Sequence, residues 1–472
     1  MKDPHGNPIS RRSLLAGALG AAGALALPRT LHAHVTGSAP ANVPAAPAPV
    51  ANVPAPAPDL ESALRAERWL RSVAVKTDHG TAWPADPEDT ATVQRNLYTG
   101  TPGVVLFLLE LHAATSDDTV LDRARAGAAD LAGTMARQES DTLDCGLYTG
   151  LAGVAYTLLE TWRSTGDARY RTAAEHAVQV IAASARPAGD GVEWSESDDI
   201  ISGGSGIALF LLWAAKTLED DRLVDLAKRA GIRLAALGQP EHGGLKWPVA
   251  PDFPNLYPNF SHGTAGVSYT LATLHGVTKE PLFLERALQG AKYLDAVTNH
   301  DGGCKVFHHE PGGEDLYYLS WCHGGAGTAR LYHRLAEVTG DAAWNERVAC
   351  LAEGITAMGA PVERSPGYWE NISQCCGDAG VGEFFLSLER LRPGRGHLQV
   401  ARRAADDIVN RASAAGDGLK WVQAEHRVRP EFLVAQTGFM QGAAGVGTFL
   451  LHLDAQAKGR ASRIVLPDSP FA

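Results

Sequence analysis

The chain has 472 residues, 45% of them hydrophobic, enough to build a large core without disulfide staples. With 53 acidic against 42 basic side chains and a formal charge of −11, it lacks the basic footprint of a nucleic-acid binder. Glycine is abundant (50) and aromatic residues make up only 7%, a balance expected of many tight turns between closely packed, alanine-rich helices.

Residues 1–33 read as a signal rather than as fold. Arg11-Arg12 stands just before an apolar run from Leu14 to Leu27, which ends at Pro28. The run is shorter than the roughly 20 residues that span a bilayer but suits the h-region of a secretory signal. The arginine pair resembles a twin-arginine export signal, which predicts a periplasmic or extracellular location. Residues 34–58 follow as a Pro/Ala-rich linker, too rich in proline for helix and extended in a polyproline-like form. No later apolar run is long enough to cross a membrane, so no span is expected once the signal is removed. The body is expected over 59–460, with 461–472 as a C-terminal tail.

One pattern then recurs seven times: Gly-x-x-Gly followed by a strongly apolar run. The copies begin at Gly100, Gly150, Gly203, Gly263, Gly324, Gly377 and Gly442. A motif repeating every 50 to 65 residues marks a repeat architecture, in which each unit needs neighbours to bury its apolar face. The run after each turn, such as Val104 to Leu111, is apolar on most faces and predicts an inner helix. Stretches such as Asp167–Arg186, Asp221–Gly238 and Glu280–His300 are amphipathic and predict outer helices, several of them opened by an Asp cap. The glycines are expected to permit positive φ in the turn and close backbone approach around an axis. Asp190-Gly-Val-Glu-Trp194, Gly243-Gly-Leu-Lys-Trp247 and Asp417-Gly-Leu-Lys-Trp421 predict short β-hairpins whose Trp residues serve as packing anchors. The fold class is therefore all-α, an (α/α)7 toroid of seven helical-hairpin repeats with minor β-hairpins, and a monomer is expected. Closure into a ring, rather than an open solenoid, brings the chemically unusual residues to one cavity.

Those residues sit just before the inner helices. The fifth copy reads Ser320-Trp321-Cys322-His323-Gly324 and the sixth Ser373-Gln374-Cys375-Cys376-Gly377. In a closed ring these turns are neighbours, and helix N-termini favour thiolates. Cys322, Cys375 and Cys376 thus make a three-cysteine Zn2+ site with an open fourth position. Small buried cysteines, or a disulfide, are the alternative. Adjacent Cys375 and Cys376 suit two bridges poorly, whereas Cys145, Cys304 and Cys350 are free to pair or to stay buried.

On these turns the chain resembles the lanthionine synthetase C-like cyclases, over nearly all of residues 90–455. The resemblance rests on the seven Gly-x-x-Gly turns, on Trp-Cys-His-Gly at 321–324 and on Cys-Cys-Gly at 375–377. It implies an (α/α) toroid with zinc at its centre. Cys322 and Cys375 fall on two ligand positions, and Cys376 stands where the commoner pattern has His. His262 falls on the family's catalytic His, and Asp199 on its Asp in the Asp-x-Ile-x-Gly turn. Without the family, Asp199 reads equally as a helix cap. Tyr318 occupies a place where such cyclases often carry Arg; His308 and His309 read as surrounding structure, and His323 does too unless it replaces Cys376 as ligand.

The reaction so implied is addition of a cysteine thiol, from a dehydrated peptide or a small thiol, to a dehydroalanine or dehydrobutyrine. His262 would act as proton donor and Asp199 would orient it. No dehydratase or kinase-like segment is evident, so the substrate would be dehydrated elsewhere. Two rival readings remain. A glycan-active toroid would use two of Asp198, Asp199, Glu193 and Glu196. A non-catalytic, zinc-stabilised peptide-binding toroid would agree with Tyr318.

Overall fold

The computed structural model describes residues 59–471, apart from 137–143, 362–367, 370, 425–426 and 428–429. The expected signal and linker lie outside the described residues. Fourteen helices dominate the unit that begins at Asp59. In chain order they are α1 (Asp59–Ser72), α2 (Thr101–Thr115), α3 (Asp118–Ala136), α4 (Leu151–Thr165), α5 (Ala168–Ser184), α6 (Gly204–Leu218) and α7 (Asp221–Leu237). There follow α8 (Thr264–Thr278), α9 (Pro281–Val297), α10 (Gly325–Thr339), α11 (Trp344–Ala357), α12 (Asp378–Leu391), α13 (His397–Asn410) and α14 (Ala443–Ala457). None of the described helices is long and apolar enough to cross a membrane.

The even-numbered helices follow the Gly-x-x-Gly turns and are buried along most of their length, as their all-round apolar sequence requires. Each packs on its neighbours, and α14 packs on α2, so the inner helices close into a ring. Six inner helices pair with the outer helix that follows them in the chain. The seventh pair is different: α14 pairs with α1, the first helix, so the two ends of the unit together make one hairpin equivalent. The all-α toroid is therefore sealed by its own termini.

A belt of backbone hydrogen bonds runs around one end of this ring. It is built by the residue two places before each first glycine: Tyr98, Tyr148, Ile201, Ser261, Cys322, Cys375 and Met440. Tyr98 N donates to Tyr148 O, Ser261 N to Cys322 O and Met440 N to Tyr98 O, each at 2.9 Å, and Cys322 N to Cys375 O at 3.0 Å. Ile200 N makes the step to Ser261 O at 3.1 Å. The repeat thus registers seven turns against one another.

One expectation about the glycines needs correction. The first glycine of every turn has negative φ, from −100° at Gly203 to −145° at Gly150, so none uses left-handed backbone. Close approach alone explains them. A Cβ on Gly263 would lie 1.7 Å from Tyr257 O and one on Gly377 2.0 Å from Asn371 O; the second glycines are as crowded, a Cβ on Gly327 falling 1.9 Å from Trp321 O.

The expected hairpins form as antiparallel pairs, Arg186–Ala188 with Gly191–Glu193, Gln239–Glu241 with Gly244–Lys246, and Ser413–Ala415 with Gly418–Lys420. Their tryptophans are anchors: Trp194, Trp247 and Trp421 donate Nε1–H to Ile181 O, Leu234 O and Ile408 O at 2.7–2.8 Å. These carbonyls lie in the last turn of an outer helix, where no intrahelical donor remains. Trp83 does the same for Leu70 O in α1, a fourth copy that the sequence pattern did not reveal. Of the cysteines left open, Cys304 and Cys350 form a disulfide, whereas Cys145 does not.

Candidate metal centre

Because Cys322 and Cys375 occupy the same repeat position in adjacent copies, the belt places them side by side. Cys376, one residue later, turns toward both. Cys322 Sγ lies 3.3 Å from Cys376 Sγ, and Cys376 Sγ lies 3.3 Å from Cys375 Sγ. All three sulfurs fall within 4.8 Å of one another, are buried, and are not disulfide-bonded. A tetrahedral zinc with Zn–S of about 2.3 Å keeps its sulfurs about 3.8 Å apart, so this triangle needs only a slight opening to accept one. His323 is not in that group. His300 also lies near Cys304 and Cys350, but the disulfide between those two removes their sulfurs as ligands.

The trio is chemically incomplete by itself. Burial pushes the Cys322 and Cys375 thiols well above the ordinary range, and neighbouring thiols push Cys322 further, so without a cation these two thiols stay protonated. Two residues that sequence reasoning overlooked address the sulfurs. Tyr98 donates its hydroxyl to Cys375 Sγ at 3.0 Å, and Gln441 Nε2 lies 3.8 Å from Cys376 Sγ and 3.3 Å from the Tyr98 oxygen. Burial, followed by the facing thiols, keeps the Tyr98 phenol neutral and therefore a donor. Repeat position could have found both: Tyr98 is equivalent to Cys322 and Cys375, and Gln441 to Cys376.

The position of Cys376 in the repeat is also that of His262 and His323. His262 Nδ1 lies 2.5 Å from Asp199 Oδ2. The other oxygen, Asp199 Oδ1, accepts from Ser202 N at 2.7 Å and Gly203 N at 2.8 Å. Asp199 thus both caps its turn and orients His262. Burial alone would raise its carboxyl, but the facing His262 and these hydrogen bonds hold it below the usual range. Next to it, burial and the Asp199 charge push Asp198 well up, and Asp198 Oδ1 has no hydrogen-bond partner.

Aromatic side chains bridge the two clusters. The His323 ring lies 4.2 Å from His308, 4.9 Å from Tyr257 and 5.6 Å from His262. His308 and His309 meet Nδ1 to Nδ1 at 2.7 Å, which requires at least one unprotonated nitrogen. Burial, then His309, lowers the His308 pKa to about 2, and burial likewise keeps His323 neutral. The Tyr318 ring lies 4.3 Å from His308, tilted by 53°. Its phenol is pushed far up by burial and then by Cys376 and Cys322, so a neutral hydroxyl stands at the position where the sequence departs from the family's Arg.

The sequence profile of the family described as lanthionine synthetase C-like protein matches residues 92–466. No curated protein sequence matches the chain. Among solved structures, nisin cyclase is similar at 17% identity over 84% of this chain and 93% of its own, with a TM-score of 0.57. The unsaturated glucuronyl hydrolase specific for heparin is similar at 13% identity over 86% of this chain and 99% of its own, with a TM-score of 0.46. An α-1,6-mannanase from Salegentibacter sp. HEL1_6 follows at 14% identity, covering 70% and 98%, with a TM-score of 0.43. The last two likenesses are too slight to bear on activity, and the first is one of fold. The profile match takes in the ring of turns and both side-chain clusters, and by it this chain belongs to the lanthionine synthetase C-like protein family.

Proposed function

We propose that this protein is a zinc-dependent, thioether-forming enzyme that adds a cysteine thiol to a dehydroalanine or dehydrobutyrine. The observation that carries this reading is the convergence of three buried thiols, with the turn of the Asp199-paired His262 next to that of Cys322 in the belt. Zinc held by Cys322, Cys375 and Cys376 would supply an open fourth position, where a substrate thiol is held as thiolate near neutral pH.

The chain's own groups account for the remaining requirements. Asp199 accepts from Nδ1 of His262, which leaves Nε2 as the position that exchanges protons with substrate. As sulfur bonds to the β-carbon, the alkene π pair moves onto the α-carbon, and His262 delivers a proton there. That proton replaces the one the thiol lost, so the net change is addition of S–H across the double bond, with nothing released. Tyr257, His308 and Tyr318 pack as an aromatic cluster near His262 and His323, and such rings would limit water around the nucleophile.

The rival acidic residues differ in setting. Glu193 pairs with Arg233 at 3.0 Å, burial and the Asp199 charge push the Asp198 carboxyl well up, and Glu196 is exposed. Export remains part of the proposal. The Cys304–Cys350 disulfide favours an oxidising compartment, and sulfurs 3.3 Å apart would oxidise there unless a metal were already bound. Export in folded form by a twin-arginine route agrees with loading beforehand.

The test uses a dehydrated peptide with one cysteine and one dehydroalanine. Ring closure leaves the mass unchanged, so the readout is loss of a thiol that can be alkylated. The purified chain is expected to carry one zinc and to close the ring, Cys322→Ala to lose zinc, and His262→Ala to keep zinc but close rings at least about a hundredfold more slowly. A pure preparation without stoichiometric zinc overturns the reading. Full zinc and peptide binding without ring closure would instead make the protein a peptide-binding toroid.

A further inference from the structure

Residues 461–471 follow α14 and its exposed end, and they run back through the ring instead of leaving it. Arg463 N and Ile464 N donate to Glu110 Oε2 in α2 at 2.9 and 2.6 Å. The Arg463 guanidinium pairs with Glu160 in α4, and Tyr156 of α4 donates its hydroxyl to Val465 O at 2.8 Å. Phe471 packs against His333 of α10 and Phe384 of α12, at 4.9 and 6.2 Å. The segment is therefore tied to inner helices on opposite sides of the ring. It enters from their C-terminal halves, the end away from the cysteine turns.

At its centre is Asp468, which is completely buried. Its carboxylate accepts from Trp321 Nε1 at 2.9 Å, from the Tyr148 hydroxyl at 3.0 Å and from Arg330 Nη1 at 3.1 Å. A buried carboxylate with this many donors is a fixed anchor: Arg330 Nη1 also donates to Asp468 O at 2.9 Å, whereas the Trp321 and Tyr148 donors would lose their acceptor with the carboxylate. Both rings lead to the thiols. Trp321 immediately precedes Cys322. Tyr148 packs on Trp321 with centroids 5.0 Å apart and meets Tyr98 edge-on at 6.5 Å; Tyr98 in turn donates to Cys375 Sγ. One acidic side chain from the end of the chain thus supports both cysteine turns from below. It lies beyond residue 466, where the family match ends.

We propose that the C-terminal strap is the floor of the metal centre and that Asp468 is a positioning residue for Cys322 and Cys375. The proposal rests on the zinc-site reading, because it concerns how well the preformed thiol triangle holds a metal. Groups that orient metal ligands typically contribute ten- to a hundredfold in affinity.

The test uses the full chain and two readouts other than turnover. Zinc affinity is measured by competition with a chromophoric chelator, and Co2+ substitution reports ligand geometry through its thiolate charge-transfer and d–d bands. Asp468→Ala is expected to keep helical content but to bind zinc roughly ten- to a hundredfold more weakly, with shifted cobalt bands. Asp468→Asn, which keeps an acceptor for Trp321, should fall between it and wild type. Trp321→Phe removes the same hydrogen bond from the other side and should reproduce the spectral shift. Arg463→Ala, which loosens the strap away from Asp468, should lower thermal stability while leaving the cobalt spectrum unchanged.

Wild-type affinity and spectra in both Asp468 variants would overturn the inference and leave the zinc site standing. Were Asp468→Ala not to fold, an unaltered spectrum in Asp468→Asn and Trp321→Phe would have the same meaning. A wild-type chain that binds neither zinc nor cobalt would remove the metal reading, and this inference with it.

Discussion

One oxygen of Asp199 closes the turn at Ser202 and Gly203, and the other faces the Nδ1 of His262, so a single carboxylate shapes a helix start and sets an imidazole tautomer. Asn at this position would preserve the cap through its carbonyl oxygen but turn an amide donor toward His262. The imidazole would then carry its proton on Nε2 and could not take up another there as a neutral base. Asp199→Asn is therefore expected to slow ring closure by about a hundredfold or more, with zinc content and melting temperature close to wild type. An undiminished rate of thiol loss in that variant would deny Asp199 its role. The thiols permit a second prediction. Burial raises the pKa values of Cys322 and Cys375, so at neutral pH these thiols are protonated without metal and zinc must displace their protons. Affinity should therefore rise with pH, by about a hundredfold per unit if those two protons leave together. Calorimetry in buffers of different ionisation enthalpy counts the protons, and release of fewer than two per zinc would contradict a three-thiolate site.

At the scale of elements, the Gly-x-x-Gly turn carried most of the legible information. The motif is local, and the crowding it relieves recurs at every inner helix, so seven copies disclosed the repeat count and the inner–outer alternation. Position within the repeat then disclosed which residues face one another. Cys322 and Cys375 could be paired for that reason, and Tyr98 and Gln441 could have been added on the same grounds. Other features were not legible, because their partners are distant in sequence. The donors to Asp468 lie 138 to 320 residues away, and α1 bears no turn motif to mark it as a member of the ring. The Cys304–Cys350 bond likewise joins residues 46 apart, where composition could not choose among three cysteines. The crowding argument can be checked with one chemical change at two sites. Gly327→Ala would place a methyl 1.9 Å from Trp321 O, beside Cys322, whereas Gly276→Ala in α8 would meet only Val338 Cγ1 at 3.2 Å. The first should destabilise the fold by about 3 kcal/mol or more. The second should lie within about 1 kcal/mol of wild type, because alanine's helix propensity offsets the tight contact. Equal unfolding midpoints for the two variants in guanidinium would contradict the assignment of these glycines to close approach.

For the molecule as a whole, closure changes how the repeats share stability. In an open solenoid each unit leans on two neighbours and the end units fray, so deletions at a terminus trim the array. Here there is no free end: α14 is partnered by α1, and Met440 N returns the backbone belt to Tyr98. α1 buries Ala63, Ala66, Trp69 and Leu70, carries the Leu70 carbonyl that anchors Trp83, and supports the hairpin at Gly418, where a Cβ would run into Trp69 at 2.7 Å. Its Asp59 also pairs with Arg402 of α13. Removing residues 59–72 would expose the outer face of α14 and open the ring next to Met440, whose carbonyl accepts from Cys375 N. The consequence should reach the metal centre through that hydrogen bond. Starting from a chain that begins at residue 59, deletion through residue 72 is expected to convert one cooperative thermal transition into a broad one, to raise binding of a hydrophobic dye, and to abolish zinc retention through gel filtration. An open repeat array would behave differently, losing the stability of one unit while keeping its zinc. Retention of one zinc per chain after that deletion would show that the cysteine turns are held by their immediate neighbours alone, without ring closure.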